Sequence, residues 1–291
     1  MLDLVLPKGS LERATLTLFE DADLSVQRAS DVDYRGSIDD PRVSSVKILR
    51  PQEIPRYVAS GLFDLGITGR DWVEETGADV VTLTELHYSK ATARPIQVVL
   101  AVAADADYKS VDDLPNGLRV HTEYPNLTAR YFEQHGIDAD IELSYGATEA
   151  KVPDIADAVV EITETGRALR AAGLRILDTI LVSHTELIAN PAAHADPQRR
   201  TAMEELQVLL TGALEARGRV LLKLNVDERN LDAVIGMLPA LKAPTVSKLF
   251  GGDAYAVETV VAKHEINVLI PALRAQGATG IIELPISKIV P

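Results

Sequence analysis

Over the first 180 residues, short apolar runs alternate with amphipathic stretches, and this alternation limits the fold more than any other feature of the chain. Candidate strands lie at Leu2–Leu6, Val43–Leu49, Phe63–Thr68, Val80–Leu86, Ile96–Ala103, Leu118–Thr122, Ile141–Tyr145 and Asp157–Thr163. Candidate helices lie between them, at Leu11–Asp21, Glu53–Ser60, Arg70–Glu75, Leu127–His135 and Arg167–Ala172. Strands that are separated by helices pair side by side as parallel strands, with the helices on both faces. The expected class is therefore α/β.

One strand breaks the pattern. Arg94–Ala103 follows another strand directly, with Thr92, Arg94 and Pro95 between them, and we read a crossing into a second lobe there. A second crossing is expected near Ile176–Ile188. One lobe inserted into another is the layout of two-lobed periplasmic-binding-protein-like (type II) folds, whose ligands sit in the cleft between lobes. The expected limits are residues 1–90 with 180–215 for lobe I and 91–179 for lobe II. From Asp196 to Gly218 a long helix carries one apolar stripe, Met203, Leu206, Leu210, Ala213 and Leu214. Residues 216–291 form a separate pattern: strand Arg219–Val226, helix Asn230–Leu241, strands Thr245–Phe250 and Ala254–Ala262 joined by Gly251-Gly252-Asp253, helix Glu265–Gln276 and strand Gly280–Ile286. That order, βαββαβ, is ferredoxin-like.

Composition excludes several classes. Apolar residues make up 46% of the chain, enough for packed cores, but only 4% are aromatic, so the cores are aliphatic. There is no cysteine, which removes disulfides, thiolate metal sites and cysteine nucleophiles. No apolar run is long enough to span a membrane, and Met1–Pro7 is too short and too acidic for a signal peptide, so a cytoplasmic protein is expected. The net charge of −14 argues against nucleic-acid binding. It leaves anionic substrates open, because screening over about 8 Å lets local basic groups decide what a pocket takes. The six histidines show no H-x-x-x-H or H-E-x-x-H spacing, so no protein-held metal is expected.

The most informative stretch is Ala156-Asp157-Ala158-Val159-Val160-Glu161-Ile162-Thr163-Glu164-Thr165-Gly166-Arg167-Ala168-Leu169. It reads as strand, tight loop, helix. On a strand Asp157 and Glu161 face one side, so two carboxylates are expected to project together. The loop Thr163–Gly166 opens a helix whose free N–H groups suit a phosphate monoester. A helix terminus contributes only about 0.3–1 kcal/mol, so the hydroxyls and Arg167 must add to it. The plainer alternative is a strand edge with an ordinary Thr-capped helix.

Gly146-Ala147-Thr148-Glu149, with Ile155–Ile162 and Thr165-Gly166-Arg167, resembles the signature of the ATP phosphoribosyltransferases, the first enzymes of histidine biosynthesis. Leu49-Arg50-Pro51, Asp64–Asp71, Tyr124-Pro125-Asn126-Leu127 and Pro244-Thr245-Val246 resemble that family in the same order, so the likeness spans nearly the whole chain. The resemblance implies that Asp157, Glu161, Thr163, Glu164, Thr165, Gly166, Arg167 and Ala168 bind phosphoribosyl pyrophosphate. It implies a C-terminal domain that binds histidine as an inhibitor, with Asn225, Leu241 and Thr245 as candidates, and a homo-hexamer built from dimers. It also implies Mg²⁺ carried on the substrate phosphates. Two departures stand out. Ala168 replaces a common Thr, and Lys151, read as a surface change, stands where the family usually carries an uncharged residue.

Three further groups complete the expected cleft. Pro7-Lys8-Gly9-Ser10, with Arg13 a turn later, reads either as a polyphosphate contact or as a plain Ser10 N-cap. Gly66–Asp71 is again strand, glycine turn and helix, with Gly69 admitting a ligand, Arg70 meeting pyrophosphate and Asp71 capping the helix or orienting Arg70. Tyr124–Asn126 lines adenine or ribose, or is a plain turn. Glu149 is read as lying behind the site. In the implied reaction adenine N1 of ATP attacks C1′ of the ribose. Lys8, Arg70 and Arg50, which reads either as a polyphosphate contact or as a surface charge, then stabilise the departing pyrophosphate, and Asp157 and Glu161 hold the ribose. The alternative reading is an inactive amino-acid sensor. A prephenate dehydratase would need a Thr-Arg-Phe motif and a porphobilinogen deaminase a cysteine, and the chain has neither.

Overall fold

The computed structural model describes residues 1–88, 95–239 and 243–290. The chain forms two compact units, Met1–Gln207 and Val208–Pro291.

The first unit contains two sheets. Its first sheet is built from β1 (Leu2–Pro7), β2 (Arg35–Gly36), β3 (Val43–Leu49), β4 (Leu65–Gly69) and β5 (Val81–Leu86), with α1 (Glu12–Asp21), α2 (Ile54–Ala59) and α3 (Arg70–Thr76) between them. The second sheet comprises β6 (Ile96–Ala103), β7 (Leu118–Thr122), β8 (Ala139–Leu143), β9 (Ala158–Thr163) and β10 (Leu174–Ser183), with α4 (Pro125–Gln134) and α5 (Arg167–Ala171). The chain then returns: β11 (Thr185–Ala189) inserts into the first sheet, whose order is β2-β3-β1-β4-β11-β5, while the second sheet runs β10-β6-β9-β7-β8. This is the two-lobed periplasmic-binding-protein-like arrangement. The outgoing crossing at Thr92 and Arg94 lies outside the described residues. The return crossing falls at His184, between β10 and β11.

β1 and β4 are buried almost throughout, as central parallel strands must be when both faces carry helices. In the second sheet, Val98, Leu100, Val120 and Val160 pack on one face with Tyr124 and Phe132, and Val99, Ala101, Val159 and Leu169 on the other. β7, β8 and β9 are parallel, so their carboxyl ends lie at one edge. β8 starts two residues earlier than expected, because its register is set by β7, with Leu118 opposite Ala139 and Thr122 opposite Leu143. Tyr145 is left exposed.

α6 (Pro191–Ala195) and α7 (Pro197–Ala216) follow. The second unit holds β12 (Arg219–Asp227), α8 (Leu231–Ile235), β13 (Thr245–Lys248), β14 (Ala254–Ala262), α9 (Ile266–Ala275) and β15 (Thr279–Pro285), with sheet order β13-β14-β12-β15 and every pair antiparallel. That is the ferredoxin-like topology. β12 alternates strictly, with Val220, Leu222, Leu224 and Val226 in the core. α8 is shorter than expected: Gly236 is a poor helix former, and Leu238 precedes Pro239, which disfavours helical backbone.

Candidate active site

The edge where β7 and β9 end faces the first sheet across a cavity of about 340 Å³, within the ordinary range for a small-molecule site. Gly69, Asp71, Tyr124, Thr163 and Glu164 line it, together with Trp72, Glu123 and His184.

After β9 the chain makes the expected loop. Thr163 Oγ1 accepts from the Gly166 N–H at 2.7 Å, and Arg170 closes over the turn by donating to the Thr165 carbonyl at 2.9 Å. Gly166 has φ +69°, a left-handed backbone that favours glycine, and a Cβ there would lie 2.7 Å from the Arg170 guanidinium and push it aside. Leu169, buried, anchors α5 to the lobe core. Thr165, Arg167 and Ala168 stay exposed, so the outer face of the loop is open.

Asp157 requires a correction. It precedes β9 rather than belonging to it, and it accepts from Arg119 through the backbone N–H, Nε and Nη2 at 3.0, 3.2 and 2.6 Å. The Arg119 hydrogen bonds hold its carboxyl below the usual range. Four residues of strand, about 13 Å, separate it from Glu161, so the two carboxylates do not converge.

Glu161 is half-buried, and its proton affinity is raised first by that burial and then by the charges of Glu123 and Glu149. The Ile162 N–H, donating to Glu161 Oε1 at 3.0 Å, and then the Thr148 hydroxyl oppose the rise. Thr148 in turn bonds Ser144 at 2.7 Å, and the Lys151 ammonium donates to Ser144 Oγ at 2.7 Å. Lys151 is thus not a surface change. It ends a chain of contacts that reaches Glu161.

On the facing lobe, Asp71 is almost wholly buried and accepts from Ser183 Oγ at 2.6 Å and from the Tyr124 hydroxyl at 2.8 Å. Burial pushes its carboxyl up, against those hydrogen bonds. Asp71 therefore ties the lobes together instead of orienting Arg70. A Cβ on Gly69 would meet Asp71 Oδ1 at 2.1 Å, so this glycine admits a side chain of the protein itself. Tyr124 is buried against Trp72, with ring centroids 4.5 Å apart. Asn126 is also corrected: its amide and backbone N–H, with the Leu127 N–H, all donate to Glu75 of α3. Arg70 is held by Glu74 and lies 3.8 Å from Glu186, so the expected free cation is an ion-paired one.

The loops after β1 and β3 meet at the cavity rim, where Ser10 and Pro51 line it. The Lys8 N–H donates to the Leu49 carbonyl at 2.7 Å, and Arg50 extends over Gly9, 3.4 Å from where a Cβ would stand. The Lys8 ammonium lies 4.5 Å above the Tyr34 ring and 4.0 Å from Glu12. Arg13 is exposed on α1. In the second unit, Asn225 on β12 and Thr245 on β13 share the polar face of the sheet but are separated by β14, where Glu258 pairs with Lys223 at 2.7 Å. Leu241 lies outside the described residues.

Sequence reasoning missed Trp72, Glu75, Ser183 and His184. Trp72 carried a usable signal, since it is the only tryptophan and follows a glycine turn at a strand end.

Fold and cleft together define a two-lobed α/β domain with a cavity of small-molecule size beside a strand-loop-helix turn. Residues 50–212 match the family described as ATP phosphoribosyltransferase, and residues 216–288 match its C-terminal domain. The ATP phosphoribosyltransferase of Desulforudis audaxviator is 49% identical, over 100% of this chain and 99% of that protein. That of Chlorobium phaeovibrioides is 47% identical, over 100% of this chain and 98% of that protein. Among solved structures, the ATP phosphoribosyl transferase (HisG:HisZ) complex from Thermotoga maritima superposes with a TM-score of 0.61 and 27% identity, over 72% of this chain and 99% of that one. The chain belongs to the ATP phosphoribosyltransferase family and is a transferase of histidine biosynthesis. Among the described residues, no helix is long and apolar enough to cross a membrane.

Proposed function

We propose that the chain joins adenine N1 of ATP to C1′ of phosphoribosyl pyrophosphate, releasing pyrophosphate with inversion. The observation that carries this reading is the turn Thr163–Gly166 at the edge of the cavity, where the Gly166 N–H is held by Thr163 Oγ1 and the exposed Thr165 presents its hydroxyl and backbone to a 5′-phosphate. Glu161 accepts from the ribose hydroxyls. Adenine N1 supplies its own electron pair, so no strong base is needed, and catalysis rests on alignment and on charge stabilisation at the leaving group. Lys8 and Arg50 at the rim provide that charge, with Arg13 behind them. Arg70, occupied by Glu74 and Glu186, acts by holding α3.

Mg²⁺ enters on the substrate phosphates in this reading. Burial first, and then the charges of Glu123 and Glu149, raise the proton affinity of Glu161. Such oxygen donors suit a hard cation. When bound, the ion offsets charge on the departing pyrophosphate.

Residues 1–90 with 180–215 and 91–179 serve as the two lobes in this proposal, and 216–291 as a histidine-binding regulatory domain. The enzyme acts as a cytoplasmic homo-hexamer built from dimers, without a separate regulatory subunit. Mixing ATP and phosphoribosyl pyrophosphate with the protein should produce a new ultraviolet chromophore, and histidine should suppress it. An unchanged spectrum would leave the amino-acid sensor as the better reading.

A further inference from the structure

We propose that Glu85, His87 and His184 form a divalent transition-metal site at the wall of the cavity, with one coordination position open to it. The sheet builds this group. β5 and β11 are antiparallel, with Leu86 opposite Thr185 and Glu85 opposite Glu186. One step further along the same ladder sets His87 against His184. Alternate residues of a strand share a face, so Glu85 and His87 on one strand confront His184 and Glu186 on the other.

Glu186 is already engaged, accepting from Thr82 Oγ1 at 3.0 Å and lying 3.8 Å from Arg70. The other three face one another. Glu85 Oε2 is 3.8 Å from His87 Nε2 and 3.9 Å from His184 Nε2, and the ring centroids are 5.3 Å apart at 85°. The potential ligand atoms all lie within 4.8 Å of one another. A tetrahedral ion with bonds of about 2.1 Å needs its ligands about 3.4 Å apart. Small rotations of His87 and Glu85, both exposed, close that gap. His87 and His184 also line the cavity, so the remaining position faces the ligand space.

Two imidazoles and a carboxylate select a borderline ion such as Zn²⁺ or Co²⁺ over Mg²⁺, which prefers oxygen donors. The site is therefore distinct from the Mg²⁺ carried by substrate phosphates, and it can be read with no substrate present.

The test uses the full-length protein, stripped with a chelator and titrated with Co²⁺. Visible absorption bands of four- or five-coordinate cobalt should saturate at one equivalent per chain. Zn²⁺ should displace the signal and excess Mg²⁺ should not. His87→Gln and His184→Ala should each weaken Co²⁺ binding by at least about tenfold, the loss that even an outer-shell partner causes. Metal-free thermal midpoints, compared with the metal-free parent, report folding. If His184→Ala melts early, the exposed His87→Gln decides. The proposal is overturned if the parent binds no cobalt, or if both variants bind it as tightly as the parent does.

Discussion

Glu161 is a carboxylate whose surroundings are at odds with its charge. Half-buried beside Glu123 and Glu149, it resists ionisation even though the Ile162 N–H and the Thr148 hydroxyl donate to it, and ribose hydroxyls would add further donors. Hydrogen bonds to a charged group contribute about 1.5–3 kcal/mol, or roughly ten- to hundredfold. Glu161→Gln should therefore raise the KM for phosphoribosyl pyrophosphate by at least about tenfold and lower kcat, as steady-state kinetics would show. Unchanged constants would remove Glu161 from the site. Asp157 behaves in the opposite sense. Its folded pKa is depressed below the ordinary 3.8 by Arg119. The stability this pair contributes is present above that ordinary value and is lost as pH falls through the folded one. Arg119→Gln should lower the urea midpoint near neutral pH, and the gap from the parent should shrink as the solution is acidified below 3.8. A gap that is constant with pH would mean that packing, not charge, sets it.

At the level of elements, α3 does unusual service. It belongs to the first sheet, yet its Glu75 caps α4 of the second by accepting from Asn126 and Leu127, and Asp71 reaches Tyr124. Glu75→Ala would strand two backbone donors at the start of α4. The expected loss is about 2–3 kcal/mol, measurable by denaturant unfolding, and a loss within about 0.5 kcal/mol would mean that water replaces the cap. None of these cross-lobe contacts was legible beforehand. The strands of both sheets were, because Val, Ile and Leu runs between turn residues mark them locally. The turn Thr163–Gly166 was legible for the same reason, since strand, glycine and helix are adjacent in sequence. Asp157–Arg119, Glu75–Asn126 and His87–His184 depend on sheet order and on where the chain returns, which no local pattern encodes. The β8 displacement is a similar case, for register belongs to the partner strand.

The whole molecule carries 43 acidic against 29 basic residues. Self-repulsion on that scale opposes compaction. Raising salt from about 0.1 M to about 1 M shortens the screening length from about 10 to about 3 Å. The thermal midpoint should rise over that range in scanning calorimetry, and a fall would show that its ion pairs outweigh the excess charge. Another molecular property follows from composition and placement together. Trp72 is the sole indole, and it stands at the cavity wall in contact with the Tyr124 ring. Emission excited at the red edge of the protein band thus comes from a single point in the enzyme. Occupancy of the substrate cleft can be followed by that light alone, and rearrangements of the C-terminal domain that leave Trp72 undisturbed are optically silent.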